Sequence, residues 1–282
     1  MGTFVTMLQI DPTQITTPQL HGYLLGAIAP RPICFASTID GDGQINLSPY
    51  SFFNVFSANP PVMIFSPARR VRDNTIKHTL ENVREIGEVV INVVSYQMVQ
   101  QMSLSSTEYP KGVNEFEKAG FTEVPSVKVS PPRVKESPVQ FECKVKEVVA
   151  LGDQGGAGNL VICEVVQIHI EESILDEAGK IDPLKLDPVA RMGGNWYSRA
   201  NLGLFEVEKP LRSLGIGVDA LPQVIKDSTV LTGNHLGMLA NVEELPEGAH
   251  ASANASTEKH QQAAQLLEDG AVEQAWNILT RK

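Results

Sequence analysis

Arg31-Pro32-Ile33-Cys34-Phe35-Ala36-Ser37-Thr38-Ile39, then Asp40-Gly41-Asp42-Gly43, then Gln44-Ile45-Asn46-Leu47-Ser48-Pro49-Tyr50-Ser51-Phe52-Phe53, is the stretch that decides the fold. The first nine residues are apolar on both faces and read as a buried strand. The Asp-Gly pairs make a strong hairpin turn. The return strand starts at Gln44. Proline donates no ladder hydrogen bond, so Pro49 predicts that Ser48 to Phe53 leaves the sheet as a shaped loop.

Outward from this hairpin the pattern repeats. Pro61 to Phe65, Glu88 to Val94 and Leu160 to Ile170 read as further strands. Val139, Phe141, Cys143 and Val145 alternate with Gln140, Glu142, Lys144 and Lys146, which predicts a half-solvated strand. Helices are short. Thr17-Pro18 reads as cap and first turn of a helix over 18–25. Leu80, Val83 and Ile86 share one face over 79–87, and a helix from Asn114 ends at Gly120. No long helices separate the strands, so the pattern favours an antiparallel barrel with helical insertions over a parallel sheet.

The chain has 282 residues, 42% of them apolar, and a formal net charge of −10. That charge excludes nucleic acid and anionic membrane as partners, because the chain carries no strong basic stripe to overcome it. No apolar run approaches the ~18 residues of a membrane span. Three cysteines without a C-x-x-C spacing exclude a disulfide framework and a cysteine zinc site. Cys34 and Cys163 lie in apolar strands and read as core residues. No metal is expected. Gly152 to Gly158 falls between two strand patterns and reads as a flexible hairpin loop. The expected compartment is the cytoplasm.

Three segments carry candidate chemistry. Ser37-Thr38 closes a strand, and its hydroxyls serve either an anion or a turn cap. Asn46 to Phe53 is either an edge that reads the polar rim of a flat heterocycle or an ordinary bulge. Ser66 to Thr79 concentrates Arg69, Arg70, Arg72 and Lys77 just before a helix, with Asn74 among them. It is either a phosphate site or a solvated basic loop.

In order and spacing these segments resemble the flavin reductase-like, FMN-binding split-barrel family, from about Leu24 to Tyr197. The matching residues include Pro30-Arg31-Pro32-Ile33, Ser37-Thr38, Asn46 to Phe53, Pro60-Pro61, Lys77 to Asn82, Asn114 to Gly120, Phe141-Glu142-Cys143 and Arg191 to Gly194. His78 departs from the aspartate more frequent there. The resemblance implies a mainly β fold with short helices. Its core would be a split antiparallel Greek-key barrel that dimerises and holds FMN at the subunit interface. Ser37, Thr38, Asn46, Ser48 and Ser51 would then face the flavin and its ribityl chain, with Leu47 in the same loop. Ser66, Arg69, Lys77 and Thr79 would hold the phosphate beside Asn74. Phe53 would lie near the ring, and Arg31 would either contact the cofactor or stiffen the scaffold. The implied activity passes hydride from NAD(P)H to flavin N5 and electrons on to a small-molecule or protein acceptor. It needs no side-chain acid or base, so no catalytic residue is assigned. The alternative is an FMN-binding electron carrier without fast NAD(P)H turnover.

The expected organisation is a split-barrel domain over 1–204, a docked extension over 205–245, a linker over 246–255 and C-terminal helices over 256–282.

Overall fold

The computed structural model describes residues 6–280, apart from 208, 211–213, 248 and 250–255. The chain divides into two compact units, Met1–Leu204 and Phe205–Lys282.

The first unit is built on one seven-stranded antiparallel sheet. Its strands are β1 (Cys34–Ile39), β2 (Ile45–Tyr50), β3 (Phe53–Ala58), β4 (Pro61–Phe65), β5 (Glu88–Val93), β8 (Val139–Ala150) and β9 (Asn159–Ile170). Two short ribbons lie apart from it, β6 (Glu123–Val124) with β7 (Arg133–Val134), and β10 (Val189–Arg191) with β11 (Tyr197–Arg199). The strand order is β2-β1-β5-β8-β9-β4-β3. The two edges, β2 and β3, are consecutive in sequence, and only Ser51 and Phe52 lie between them. The three Cα steps from Tyr50 to Phe53 span at most ~11 Å, so the sheet wraps until its edges converge at that corner without pairing there. This is the split of a split barrel.

Pro49 does not break β2. It pairs with Phe35 in the β1 ladder. A proline is tolerated because β2 is an edge strand, where half of the backbone groups need no partner. The expected loop therefore shrinks to Ser51-Phe52, and Phe53 to Ala58 forms a strand that the sequence reading missed.

Strand β1 buries both faces, as its composition predicts. Cys34 and Ala36 join Phe65, Ile91, Cys143, Val161 and Cys163 inside the sheet, closed by Leu80 and Val83 of α2 (His78–Ile86). Phe35 and Ile33 face the other way, onto Leu47, Met98, Met102 and Phe116. That second core includes α3 (Val99–Leu104) and α4 (Glu115–Ala119). All three cysteines are free and buried, and burial pushes the Cys163 thiol up to about 12. Helix α1 (Thr17–Ala27) starts one residue earlier than expected: Thr16, not Thr17, is the cap, paired with Gln19 in a capping box. A further short helix, α5, spans Pro183–Leu186.

Two expectations for β8 and its hairpin need correction. Glu142 is fully buried and not on a solvent face. Gln140, on the same face, is buried as well, because the 127–134 segment covers that end of β8. The Glu142 carboxylate accepts from the Val127 and Lys128 amides and meets His169 Nε2 at 2.6 Å. The 152–158 loop is tied down: Gly156 N donates to Arg69 O and Arg69 N to Ala157 O, at 3.0 and 2.8 Å.

The second unit holds α6 (Gln223–Lys226), α7 (Gly233–Ala240), α8 (Thr257–Glu268) and α9 (Val272–Thr280). Leu221, Ile225, Leu239, Leu267, Trp276 and Leu279 form one core, and Trp276 Nε1 donates to Leu239 O at 3.1 Å. The final helices and the 216–245 segment thus share a core, and Ala249 of the expected linker is buried in it. Residues 208 and 211–213 of the expected extension and 248 and 250–255 of the expected linker lie outside the described residues. Among the described residues, no helix is long and apolar enough to cross a membrane.

Candidate functional site

Beneath the open corner of the sheet lies a buried polar layer. Thr79, in the first turn of α2, accepts at Oγ1 from Asn46 Nδ2 and from the Tyr50 hydroxyl, both at 2.8 Å. Asn82, one turn on, donates to Thr38 Oγ1 at 3.1 Å. The Leu47 amide donates to Glu115 Oε2 at 2.9 Å. Burial raises the Tyr50 phenol well above its usual range, which keeps it a neutral donor. Ser37 Oγ is buried with no hydrogen-bond partner.

Above this layer runs a cleft of about 250 Å³. Strand β2 and its corner supply Ser48, Pro49, Tyr50, Ser51 and Phe52. Helix α1 adds His21 and Leu25, and the far wall adds Ser66, Ala68, Lys77 and Ser106. Phe52 meets the His21 ring edge-on at 6.3 Å. Ser66 Oγ accepts from Asn159 N at 3.1 Å, which fixes its place.

The cleft continues into a small hollow where charge collects. Lys77 caps α2 without a side-chain cap bond, so the orphan amides and positive dipole end of the helix add to its charge. Burial, followed by the Arg70 charge, lowers the Lys77 pKa. Arg70 Nε and Arg72 Nη2 donate to Glu108 at 3.1 and 2.6 Å, and Lys77 Nζ lies 3.6 Å from it. Hydrogen bonds from Arg72 and Arg70 hold the Glu108 carboxyl below the usual carboxylate range.

Arg31 is a buried clamp. Its guanidinium donates to the carbonyls of Leu25, Ile28 and Met192, and its Nε reaches Ser51 Oγ at 3.5 Å. It ties the exit of α1 to the Gly-rich segment at Met192 and to the corner residue Ser51, so it positions the cleft walls from below. Burial, with help from Arg191, lowers its pKa.

Among the residues singled out from the sequence, the structure brings Ser48, Ser51, Ser66 and Lys77 together in the cleft, with Asn46 in the adjoining hollow. It does not bring Ser37, Thr38, Leu47 or Thr79 to that surface, since all four side chains are fully buried. Phe53 packs against the inner core instead of lining the cleft. Arg69 turns away, bonding Asn74 Oδ1 and O at 2.6 and 2.7 Å; Asn74 has φ 57° there. These two line a separate open depression. His21, Phe52, Ser106 and Glu108 were missed. His21 and the 106–108 turn are distant in sequence from the hairpin, and only the fold places them beside it. Among the described residues, no group of three or more His, Cys, Asp or Glu side chains suits a metal ion.

Residues 26–186 match the family model of the flavin reductase like domain, and the chain belongs to that family. A protein of Aquifex aeolicus is 41% identical over 181 residues, covering 64% of this chain and 90% of its own. Nitrilotriacetate monooxygenase component B from Bacillus cereus superposes with a TM-score of 0.68 at 31% identity, covering 72% of this chain and all of its own. A split-barrel-domain flavin reductase homologue from Shewanella frigidimarina gives 0.61 at 26% identity, with the same two coverages. The fold is accordingly a mainly β split barrel with short helices, and the family binds flavin.

Proposed function

We propose that the chain is an FMN-dependent oxidoreductase that takes hydride from NAD(P)H and passes electrons to an acceptor. The observation that carries this reading is one cleft in which Ser48, Ser51, Ser66 and Ser106 converge with Lys77 at its charged end. Hydroxyls suit a ribityl chain, and a lysine at a helix start suits a terminal phosphate. When bound, FMN supplies the hydride-accepting chemistry at its N5, and the protein supplies orientation and electrostatics.

The residues have separable tasks. Ser48 and Ser51, with the backbone of the corner, would orient the polar rim of the ring. Ser66 and Ser106 would hold the ribityl chain, and Lys77 the phosphate. Leu25 and Phe52 would give one side of the ring an apolar surface. Arg31 and Thr79 act through the groups that they fix.

One subunit offers only part of a site. Enclosed small-molecule sites run to about 300–1,000 Å³, and this open cleft holds about 250 Å³. Strand β3, at the adjoining sheet edge, exposes Val55 and Phe56 by 61% and 63%. A second copy covering that edge would complete the site and bury the apolar face, which supports a homodimer with FMN at the interface.

Anaerobic mixing of the flavin-loaded protein with NADH or NADPH tests the reading. Rapid bleaching of the flavin band is expected. Persistent colour would leave an electron carrier as the function. Recovery of FAD in place of FMN from denatured protein would overturn the cofactor.

A further inference from the structure

We propose that Glu108 is an internal anion that competes with the flavin phosphate for the cations beside the cleft, and so sets how tightly phosphorylated flavin is held. The inference rests on the FMN reading above.

Three cations converge on this one carboxylate. Arg70 and Arg72 donate to its two oxygens at 3.1 and 2.6 Å, and Lys77 stands 3.6 Å away. Arg70 is held in place independently, by bonds to Thr75 Oγ1 and Ile76 O at 2.9 and 2.7 Å. Removing Glu108 therefore leaves that guanidinium where it is. Glu108 belongs to the same turn as Ser106, which lines the cleft with Lys77 and Ser48. Its side chain is 40% exposed, so water can take it over when it moves aside. A phosphate monoester carries about −1.5 to −2 at neutral pH against −1 for a carboxylate, so a phosphate outcompetes Glu108 without being free of it. Riboflavin, which has no phosphate, gains nothing from the exchange.

Fluorescence titration of the full-length apoprotein with FMN and with riboflavin tests this. Glu108→Gln should tighten FMN roughly three- to tenfold, the order expected from deleting one charge a few ångströms from a phosphate in a partly hydrated site. Riboflavin affinity should stay within a factor of two, and its retention also shows that the cleft is folded. Glu108→Asp, with the carboxylate drawn back by one methylene, should tighten FMN by a smaller factor. Unchanged or weaker FMN binding in both variants would overturn the proposal and make Glu108 a bystander or a positioner of the cations. If the wild type binds FMN no better than riboflavin, the phosphate-site reading itself fails. If it prefers FMN and neither variant moves that preference, only the role of Glu108 falls.

Discussion

Two polar layers meet at the open corner of the sheet, and hydroxyl side chains make up much of both. The lower layer, Thr38, Asn46, Tyr50, Thr79 and Asn82, is buried and bonded to itself. The upper layer, Ser48, Ser51, Ser66, Lys77 and Ser106, faces the cleft. Buried polar groups are costly unless paired, and the lower layer commits most of its donors and acceptors to itself; Asn82 Oδ1 alone among its five residues is left without a partner, and Asn46 and Tyr50 also border the hollow and the cleft. The upper layer keeps donors available. The difference separates holding the site from being the site. Substitutions should therefore split into those that cost stability and those that cost ligand affinity.

Arg31→Ala should have the largest effect. It removes the buried donor that joins three backbone carbonyls from two separate segments. A loss of about 3–5 kcal/mol is expected, read by urea unfolding of the flavin-free protein. Arg31→Lys should recover only part of it, because one ammonium cannot span carbonyls on two segments. A loss below about 1 kcal/mol would mean that α1 is held by other contacts.

Thr79→Val comes next. It keeps the shape and leaves Asn46 Nδ2 and the Tyr50 hydroxyl without their acceptor, which costs about 2–3 kcal/mol. The ratio of FMN to riboflavin affinity should not change, since the hydroxyl acts only through its neighbours. A selective loss of FMN would move Thr79 into the upper layer.

A smaller effect is expected from pH. The Lys77 pKa is lowered, chiefly by burial. Its charge is present below that pKa and lost above it, so FMN affinity should fall with rising pH earlier than an ordinary lysine would allow. Below about pH 6 the phosphate itself takes up a proton, and affinity should fall there too. Titration of FMN across this range should give a bell, and titration of riboflavin a flatter curve. Parallel curves for the two flavins would remove Lys77 from the phosphate site.

How far the sequence reaches follows the same division. The burial of both faces of β1, the Asp-Gly turn and the apolar face of α2 are local signals, and the structure has all three. Strand β3 was hidden because Pro49 reads as a breaker, and its tolerance depends on β2 being an edge, a property of the whole sheet. Gln140 and Glu142 read as solvent-facing residues because an alternating pattern does not show that the 127–134 segment covers their face. Ser48, Ser51, Ser66 and Lys77 were legible as neighbours in one candidate site because they share two short segments, and the structure lines one cleft with them. Thr79 was equally legible as a hydroxyl beside a basic run, and one turn of helix puts it below the surface. His21, Ser106 and Glu108 needed tertiary contacts from elements that carry no motif of their own.

The most direct test of the two-layer account is the affinity of Lys77→Ala for FMN and for riboflavin, measured alongside its unfolding free energy. Lys77 belongs to the upper layer, and under the proposed function it would make a charge-assisted contact to the FMN phosphate worth about 1.5–3 kcal/mol. The account predicts FMN binding weakened about tenfold or more, with riboflavin affinity and stability within error of the wild type. Equal loss of both flavins, or a loss of stability with FMN affinity retained, would contradict it.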